Sequence, residues 1–424
     1  MPMMIKRRYR GDCPRAVLRP SPAHRRVPAL ALVVLGALLG TPAPVAAEPA
    51  TPTAAPTYAP CPTVKVARSP RAKPPKPDPA RPVIGGQGLK TTGLAVPLRA
   101  PAPPALTATS WVVADLDTGA VLGACGPHEY GTPASVQKLL LAATMLPKLD
   151  PAQVVEVTGD DMDFEPGSSA MGLVLGGRYR VETLWLGLML NSGNDAANVL
   201  ARLGGGSAGA RGGVEAMNTE ARRLGAYETH AATPSGLDGP GQFTSAYDLA
   251  LIARACFSRD DFRRYVSTRQ AEVPSQRPKG PAGFSIQNDN QLLFQYRGAL
   301  GGKTGFTDLA RHTFVGAAER GGRRLVVTVL GAEALPVRGW QQGAALLDWG
   351  FRLPHDAAVG RLVTPEDVMP AAPTPSASAS VRAPAARGAG GQADVVQIGI
   401  AVSVAAVLML GLLATTWWRA GSRQ

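Results

Sequence analysis

Two residues three positions apart, Ser135 and Lys138, could act as a nucleophile and its base. They lie in the stretch 133–145, whose other residues are almost all apolar, and such a stretch predicts a helix buried in a core. The spacing places both side chains on one helix face, about one turn apart. A serine hydroxyl needs a base to take its proton, and burial lowers the pKa of a lysine. The pair therefore predicts a serine activated by a neutral lysine.

The use of lysine elsewhere in the chain supports this interpretation. Residues 106–424 contain four lysines and 24 arginines. A chain that carries its positive charge on arginine, yet places lysine at a buried position, indicates a need for a side chain that can lose its proton. Ser135 also falls in the first turn after Pro133, where free backbone N–H groups could hold an oxyanion.

Two further short motifs offer polar groups to a site of this kind. Ser192 and Asn194 lie on a turn between two predicted helices, the first of which begins at Glu182. Lys303 and Thr304 lie between glycines where the last strands begin, and they offer a cation and a hydroxyl to a carboxylate. The glycines allow a substrate backbone to approach closely. Each motif is common by itself, so their combination carries the prediction.

The three motifs occur in the order S-x-x-K, S-x-N and K-T-G, separated by 57 and 111 residues. This is the pattern of the penicillin-recognising serine acyltransferases. Over about residues 106–352 the chain resembles the D-alanyl-D-alanine carboxypeptidases among the low-molecular-mass penicillin-binding proteins. Three more segments resemble that family, at 234–242, 244–248 and 346–351.

Predicted strands at both ends of this region enclose predicted helices, which indicates one sheet that the chain leaves and rejoins. Hairpins are predicted at 111–122 and 312–330. Helices are predicted near 135–146, 182–190, 195–203, 213–224, 244–256 (with Thr244 as its N-cap) and 339–350. The resemblance implies an α/β (α+β) fold of the β-lactamase/transpeptidase type, with an antiparallel sheet flanked by helices and an inserted helical subdomain.

The resemblance also implies catalytic roles. Ser135 would be the acylated nucleophile and Lys138 its general base. Ser192 would relay a proton to the leaving amine. Asn194 would bind the peptide amide of the substrate and orient Lys138.

Substrate binding is implied for the third motif and its neighbours. Lys303 and Thr304 would hold the terminal carboxylate, with Gly305 beside them on the substrate-binding strand. The N–H groups of Ser135 and Phe306 would form the oxyanion hole. Arg338 is a further candidate for the carboxylate, although its local spacing differs from the family pattern by about one residue.

The implied reaction is attack on the D-Ala-D-Ala bond of a peptidoglycan stem peptide, release of D-Ala, and hydrolysis of the acyl-enzyme. β-Lactam antibiotics would acylate the same serine, and no metal or organic cofactor is implied. Endopeptidase or transpeptidase activity on cross-links is an alternative, as is an inactive wall-binding protein. A β-lactamase is not favoured, because no E-x-x-x-N spacing occurs between Asn194 and Lys303.

The two ends of the chain predict export and anchoring. A basic head, a short apolar run and small residues before Glu48 are typical of a signal peptide. Near the C-terminus, 24 mostly apolar residues end in two tryptophans and are followed by an arginine, which is typical of a membrane span. We therefore expect a single-pass protein of the cell membrane with its catalytic domain on the cell-wall side. The expected segments are 1–47 signal peptide, 48–105 Pro/Ala-rich basic linker or loosely docked arm, 106–352 catalytic domain, 353–393 disordered linker, 394–418 transmembrane helix and 419–424 cytoplasmic tail.

The charge distribution and the cysteine content bear on possible partners and on disulfide pairing. Eight basic and one acidic residue in 1–47, with eight basic and two acidic residues in 48–105, account for the whole net charge of +13. The main domain is neutral, so nucleic acid is not an expected partner. Cys61, Cys125 and Cys256 would remain after export and allow one disulfide in any of three pairings. Stem-peptide preference and oligomeric state stay open.

Overall fold

The computed structural model describes residues 59–76, 84–277 and 280–368. The strands are β1 Leu94–Ala95, β2 Ser110–Asp115, β3 Ala120–Cys125, β4 Val154–Glu156, β5 Arg178–Arg180, β6 Gln270–Val273, β7 Phe284–Gln287, β8 Ala299–Thr307, β9 Arg311–Arg320, β10 Arg323–Ala332 and β11 Gly360–Arg361. The α-helices are α1 Lys138–Met145, α2 Val181–Leu190, α3 Asn194–Gly204, α4 Gly209–Arg223, α5 Ala246–Phe257, α6 Asp260–Ser267, α7 Leu292–Gln295, α8 Gly339–Phe351 and α9 Pro365–Val368.

One antiparallel sheet organises the described residues. Its strand order is β1-β3-β2-β10-β9-β8, and β11 pairs with β3 beside β1. The chain leaves the sheet after β3, forms helices α1 to α7, and returns in β8 at the opposite edge. The prediction of an antiparallel sheet flanked by helices, with a helical insertion, is confirmed.

Turn chemistry explains both predicted hairpins. Between β9 and β10, Gly321 and Gly322 both have positive φ, at 58° and 78°, as the tightest hairpin turn requires. Between β2 and β3, the Asp115 carboxylate accepts hydrogen bonds from the N–H groups of Asp117 and Thr118. Both hairpins therefore form where the sequence predicted them, with strands one to three residues longer at most ends.

The sheet separates two layers of core. Alternate residues of β2 face opposite sides, so that Val112 packs with α1 and α5 while Trp111 packs with α8. On the α8 side, the rings of Trp111 and Trp349 meet edge to face at 6.0 Å. On the other side, the helical insertion packs against the sheet through α5 and the α1 region, and this face carries the cleft described below.

Each predicted helix is present to within a few residues, with two differences, whereas α6, α7 and α9 were not predicted. The first turn of the predicted helix 135–146 is a 3₁₀ turn, Ala134–Gln137, and α1 begins at Lys138. The N-cap of α5 is Ser245, whose hydroxyl accepts from the N–H of Asp248, and not Thr244. The hydroxyl of Thr244 is turned inward instead, 2.9 Å from the hydroxyl of Thr229.

The domain extends beyond the predicted bounds of 106 and 352. Strand β1 pairs with β3, and Leu89 is fully buried, so part of the expected linker 48–105 belongs to the fold. A disulfide joins Cys61 to Cys125 in β3, and Cys256 is a buried free thiol. After residue 352, strand β11 also pairs with β3. These segments contact the domain, which composition did not reveal, because a short strand that completes a sheet edge has no periodic pattern of its own.

The predicted signal peptide 1–47 and transmembrane helix 394–418 lie outside the described residues. Within the described ranges, no helix combines the length and the apolar character that crossing a membrane requires.

Candidate active site

Ser135 lies on a tightly held turn at the base of the helical insertion. The preceding Ala134 has φ of +49°, an unfavourable conformation for a residue with a side chain and one that concentrates at functional sites. The hydroxyl of Thr313 in β9 donates to the carbonyl of Pro133 at 2.7 Å. This bond fixes the start of the turn against the sheet and presents the Ser135 side chain at a cleft.

Lys138 follows on the same face and is completely buried. Its Nζ lies 2.8 Å from Ser135 Oγ, 2.7 Å from Asn194 Oδ1 and 3.0 Å from the carbonyl oxygen of Ser235. These three acceptors match the three hydrogens of an ammonium group. When the amine is neutral, its lone pair can instead accept the Ser135 hydroxyl proton while the other two contacts persist.

The surroundings of Lys138 favour the neutral amine. Burial lowers the pKa of this group well below its usual value, and the positive charge of Lys303 lowers it further. The negative charge of Asp195 opposes both effects. A buried amine with a depressed pKa, in contact with a serine hydroxyl, has the geometry and the basicity to take that hydroxyl's proton.

The second motif lies on the turn between α2 and α3. Asn194 is the first residue of α3; its Oδ1 accepts from Lys138, and its Nδ2 donates to Ser168 Oγ at 2.9 Å. One hydrogen of that amide remains for a ligand. Ser192 has φ of +65°, and its buried Oγ makes no hydrogen bond to any described residue. A buried hydroxyl without a partner is a candidate for contact with substrate.

The third motif lies on the edge strand β8. Lys303 is buried, and its Nζ donates to the carbonyl of Thr304 at 2.7 Å. Burial lowers the pKa of Lys303 to about 8, against the opposing charge of Asp289. Gly305 faces the catalytic turn so closely that a Cβ there would lie 2.9 Å from the Ser135 nitrogen. Glycine is therefore required for β8 to approach the turn that carries Ser135.

These elements enclose a cleft of about 400 Å³. Six predicted residues contribute to its wall: Ser135, Ser192, Asn194, Thr304, Gly305 and Phe306. Lys138 and Lys303 lie behind the wall, buried. The structure thus brings together every residue that the sequence predicted for the site, from three separated parts of the chain.

The structure adds residues that the motifs did not reveal. His312 lines the cleft because it pairs with Phe306 across β8 and β9. Burial lowers the pKa of His312, and the positive charges of Arg311 and Arg338 lower it further. Asp289 and Ser168 line the cleft as well. The hairpin register could have located His312 from sequence, but nothing in the pattern distinguished Asp289 or Ser168.

Arg338 also lines the cleft. It is the N-cap residue of α8, and its N–H donates to the side-chain oxygen of Gln341 at 2.9 Å. The predicted carboxylate-binding candidate is therefore placed at the cleft, on an element separate from β8. No group of three or more His, Cys, Asp or Glu side chains suited to a metal ion occurs among the described residues.

Comparison with known proteins shows which proteins this chain is similar to. Residues 98–334 match the family profile described as D-alanyl-D-alanine carboxypeptidase, peptidase family S11. The carboxypeptidase DacB2 of Mycobacterium tuberculosis is 44% identical over 260 residues, which cover 60% of this chain and 86% of that protein. DacD of Escherichia coli is 36% identical over 260 residues, or 59% of this chain and 64% of DacD.

Solved structures give the same result. A crystal structure of a D-alanyl-D-alanine carboxypeptidase from M. tuberculosis superimposes with a TM-score of 0.59 at 41% identity, covering 63% of this chain and 99% of that one. The DD-transpeptidase of Streptomyces K15 superimposes with a TM-score of 0.56 at 28% identity, covering 59% of this chain and 99% of that one.

Proposed function

This chain belongs to the D-alanyl-D-alanine carboxypeptidase family, and we propose that it acts through an acyl-enzyme formed on Ser135. The observation that carries the assignment of roles is the position of Lys138 Nζ, 2.8 Å from Ser135 Oγ in a fully buried setting. The substrate is a peptidoglycan stem peptide that ends in D-Ala-D-Ala.

In the first half of the reaction, neutral Lys138 takes the hydroxyl proton while Ser135 Oγ attacks the carbonyl carbon of the scissile bond. The N–H groups of Ser135 and Phe306 stabilise the oxyanion of the tetrahedral intermediate. The proton passes from Lys138 through Ser192 to the leaving nitrogen, and the C–N bond breaks. D-Ala leaves, and the remaining peptide is an ester of Ser135.

In the second half, water attacks the ester carbonyl and gives its proton to Lys138. The C–O bond to Ser135 then breaks, the proton returns to Ser135 Oγ, and the shortened peptide leaves as a carboxylic acid. Asn194 keeps Lys138 in place through Oδ1 in both halves, and its second amide hydrogen binds a peptide carbonyl of the substrate.

Binding of the terminal carboxylate is assigned to the third motif. Thr304 and Arg338 both line the cleft, and the neighbouring Lys303 is a buried cation. A β-lactam, whose carboxylate and strained amide resemble this terminus, would acylate Ser135 by the same attack.

We place the catalytic domain on the cell-wall side of the cell membrane. The signal-like segment 1–47 and the apolar segment 394–418 support export and anchoring. The Cys61–Cys125 disulfide also supports export, because disulfides persist in oxidising compartments. Fractionation of cells that carry the full chain and a chain ending at residue 393 tests this: the full chain should be in the membrane fraction, and the shortened chain should be released.

The activity is tested by incubating the purified protein with a pentapeptide that ends in D-Ala-D-Ala and following the products by mass spectrometry. We expect loss of one D-Ala and a mass increase on Ser135 in the presence of penicillin. Ser135→Ala should abolish both. Penicillin labelling without D-Ala release would contradict the carboxypeptidase assignment, and absence of both would favour an inactive wall-binding protein.

A second candidate function is transpeptidation, in which an amine replaces water. The observation that favours it is the structural similarity to the protein described as the Streptomyces K15 DD-transpeptidase. Adding glycine or a diamino acid to the assay distinguishes the two, because a transpeptidase converts the donor into an amide of the added amine. Release of the free tetrapeptide at an unchanged rate would exclude it, and cleavage of cross-linked dimers would indicate an endopeptidase.

A further inference from the structure

We propose that a second groove, beside the catalytic cleft, binds the residues of the stem peptide upstream of D-Ala-D-Ala, and that the N-terminal arm forms its outer wall. The arm is defined as residues 59–76, which precede the family match at 98. The groove has a volume of about 680 Å³. This inference rests on the function proposed above, since that function sets the direction of the bound peptide.

The direction follows from the order of contacts along β8. The terminal carboxylate lies at Thr304, and the scissile carbonyl lies at the N–H of Phe306. Consecutive carbonyl groups of an extended peptide are one residue apart, about 3.4 Å, so these two contacts set the direction of the peptide along β8, with its carboxyl end toward Thr304. The upstream residues must therefore continue past Phe306 toward Thr307 and the turn before β9.

That path leads from the cleft to the groove. Leu237 lines the cleft, whereas the next residue, Asp238, lines the groove. Asp238 connects the two walls, because it accepts hydrogen bonds from the Thr307 hydroxyl at 2.8 Å and from the N–H of Leu309. The side chains of Phe306 and Leu309 are 48% and 40% exposed along this path. Both apolar residues are therefore accessible to a peptide that follows this path.

The groove has the walls of a peptide site. Tyr130 and Phe243 meet edge to face at 5.2 Å and form its aromatic side. The arm contributes Pro74 and Pro75 opposite, with the exposed cation of Lys73. The other charged lining residue, Asp238, accepts from the Thr307 hydroxyl and the Leu309 N–H, so Lys73 is the charge that remains for a ligand. Rigid apolar walls with such a group bind an extended chain and select its charge. The ligand that fits is an extended peptide with a carboxylate upstream of its D-Ala-D-Ala end.

The arm is anchored firmly enough to serve as a wall. At one end the Cys61–Cys125 disulfide ties it to β3. Near the other end, Arg71 donates to Glu333 at 2.7 Å, and Glu333 also accepts from Arg311 at the start of β9. Because Arg311 precedes the cleft residue His312, the arm is tied to the same hairpin that lines the active site.

The test compares substrates of two lengths. The probes are N-acetyl-L-Ala-γ-D-Glu-L-Lys-D-Ala-D-Ala and diacetyl-L-Lys-D-Ala-D-Ala, and the readout is the ratio of their kcat/KM values. For the wild-type protein we expect a ratio of about ten or more, because only the longer peptide reaches the groove. Amidation of the glutamate carboxylate should lower that ratio, since it removes the charge opposite Lys73.

Two arm variants separate a specific contact from a general charge effect. Lys73→Glu should lower the ratio about fivefold or more, because it replaces attraction with repulsion. Lys65→Glu makes the same charge change on an exposed arm residue outside the groove, so its ratio should equal that of the wild-type protein. Equal effects of the two variants would overturn the assignment of Lys73.

The result that would overturn the groove assignment differs from the result that would overturn the proposed function. If the wild-type protein releases D-Ala from both peptides with the same kcat/KM, the groove does not bind the stem peptide and only this inference is overturned. If it releases D-Ala from neither, the carboxypeptidase function is overturned and the groove with it.

Cys61→Ser, which frees one end of the arm, should reduce the ratio toward one; an unchanged ratio would show that the arm is not the wall.

Discussion

Lys138 illustrates how a single residue acquires a function from its surroundings. An ammonium group in a core is costly, and here its cost is offset by three acceptors at hydrogen-bond distance. The same burial lowers the pKa of Lys138 well below its usual value, so the amine loses its proton more readily and can serve as a base. The cost of placing Lys138 in the core is thus inseparable from its proposed role.

Replacing this lysine by arginine separates charge from basicity. Lys138→Arg keeps a cation but cannot readily give up a proton, so acylation by penicillin should slow by about 100-fold or more, the usual contribution of a general base. Stopped-flow or gel-based measurement of labelling provides the rate, with circular dichroism to verify folding. Acylation of the variant at the wild-type rate would contradict the proposed role.

Lys303 predicts a pH dependence. Its pKa is about 8 in the free protein, so the cation that attracts the substrate carboxylate is lost as the pH rises through that value. We expect kcat/KM to fall above about pH 8, because kcat/KM reports the ionisation of the free enzyme.

The matched variant for this profile is Lys303→Arg, which stays charged across the range. Its kcat/KM should be lower at neutral pH, since the arginine fits the buried site poorly, but the decline near pH 8 should disappear. The measurement is kcat/KM for hydrolysis from pH 6 to 10. If the decline near pH 8 persists in the variant, a group other than Lys303 causes it.

At the scale of elements, most of the architecture was predictable because local chemistry and global fold agree. The two glycines between β9 and β10 and the buried helices α2 and α3 gave clear patterns. The 3₁₀ turn at Ser135 was not predictable, since the positive φ of Ala134 has no signal in its residue type. Nor was the choice of Ser245 over Thr244 as N-cap, because both residues suit that position.

The loop 165–173 depends on one carboxylate at the start of α3. Asp195 is fully buried and accepts hydrogen bonds from the N–H groups of Met171, Gly172 and Leu173. Because the loop carries Ser168, the partner of Asn194, this carboxylate holds one wall of the cleft indirectly.

Asp195→Asn should therefore weaken both the fold and the site. The amide retains one acceptor oxygen and directs its NH₂ group at N–H donors, so we expect destabilisation of about 3 kcal/mol and a lower kcat. Urea unfolding and D-Ala release measure the two effects. Asp163→Asn, at an exposed position of the same region, is the control and should change neither; equal behaviour of the two variants would refute the account.

At the scale of the whole molecule, the sheet edge is completed by segments from outside the predicted domain. Strands β1 and β11 cover the free side of β3, and the disulfide fastens the arm beside them. Composition suggested linkers here, because proline-rich segments of low periodicity form their contacts with the domain and not with themselves.

Removal of the disulfide tests the contribution of the arm to stability. The bridge joins residues 64 positions apart, and the loss of such a loop constraint corresponds to about 4 kcal/mol. Cys61→Ser should lower the free energy of unfolding by about that amount, and the reduced wild-type protein should unfold at the same urea concentration as the variant. Unchanged stability in both would show that the arm is not coupled to folding.

The sequence by itself indicated the chemistry: three motifs in a fixed order, a lysine three residues after a serine in an apolar stretch, and a family that these residues identify. The tertiary structure alone decided what those groups touch. The carbonyl of Ser235 at Lys138, the contact of Ser168 with Asn194 and the arm beside the groove have no motif. The physical reason is that residue type fixes what a group can donate or accept, whereas a contact of about 3 Å depends on packing across distant parts of the chain.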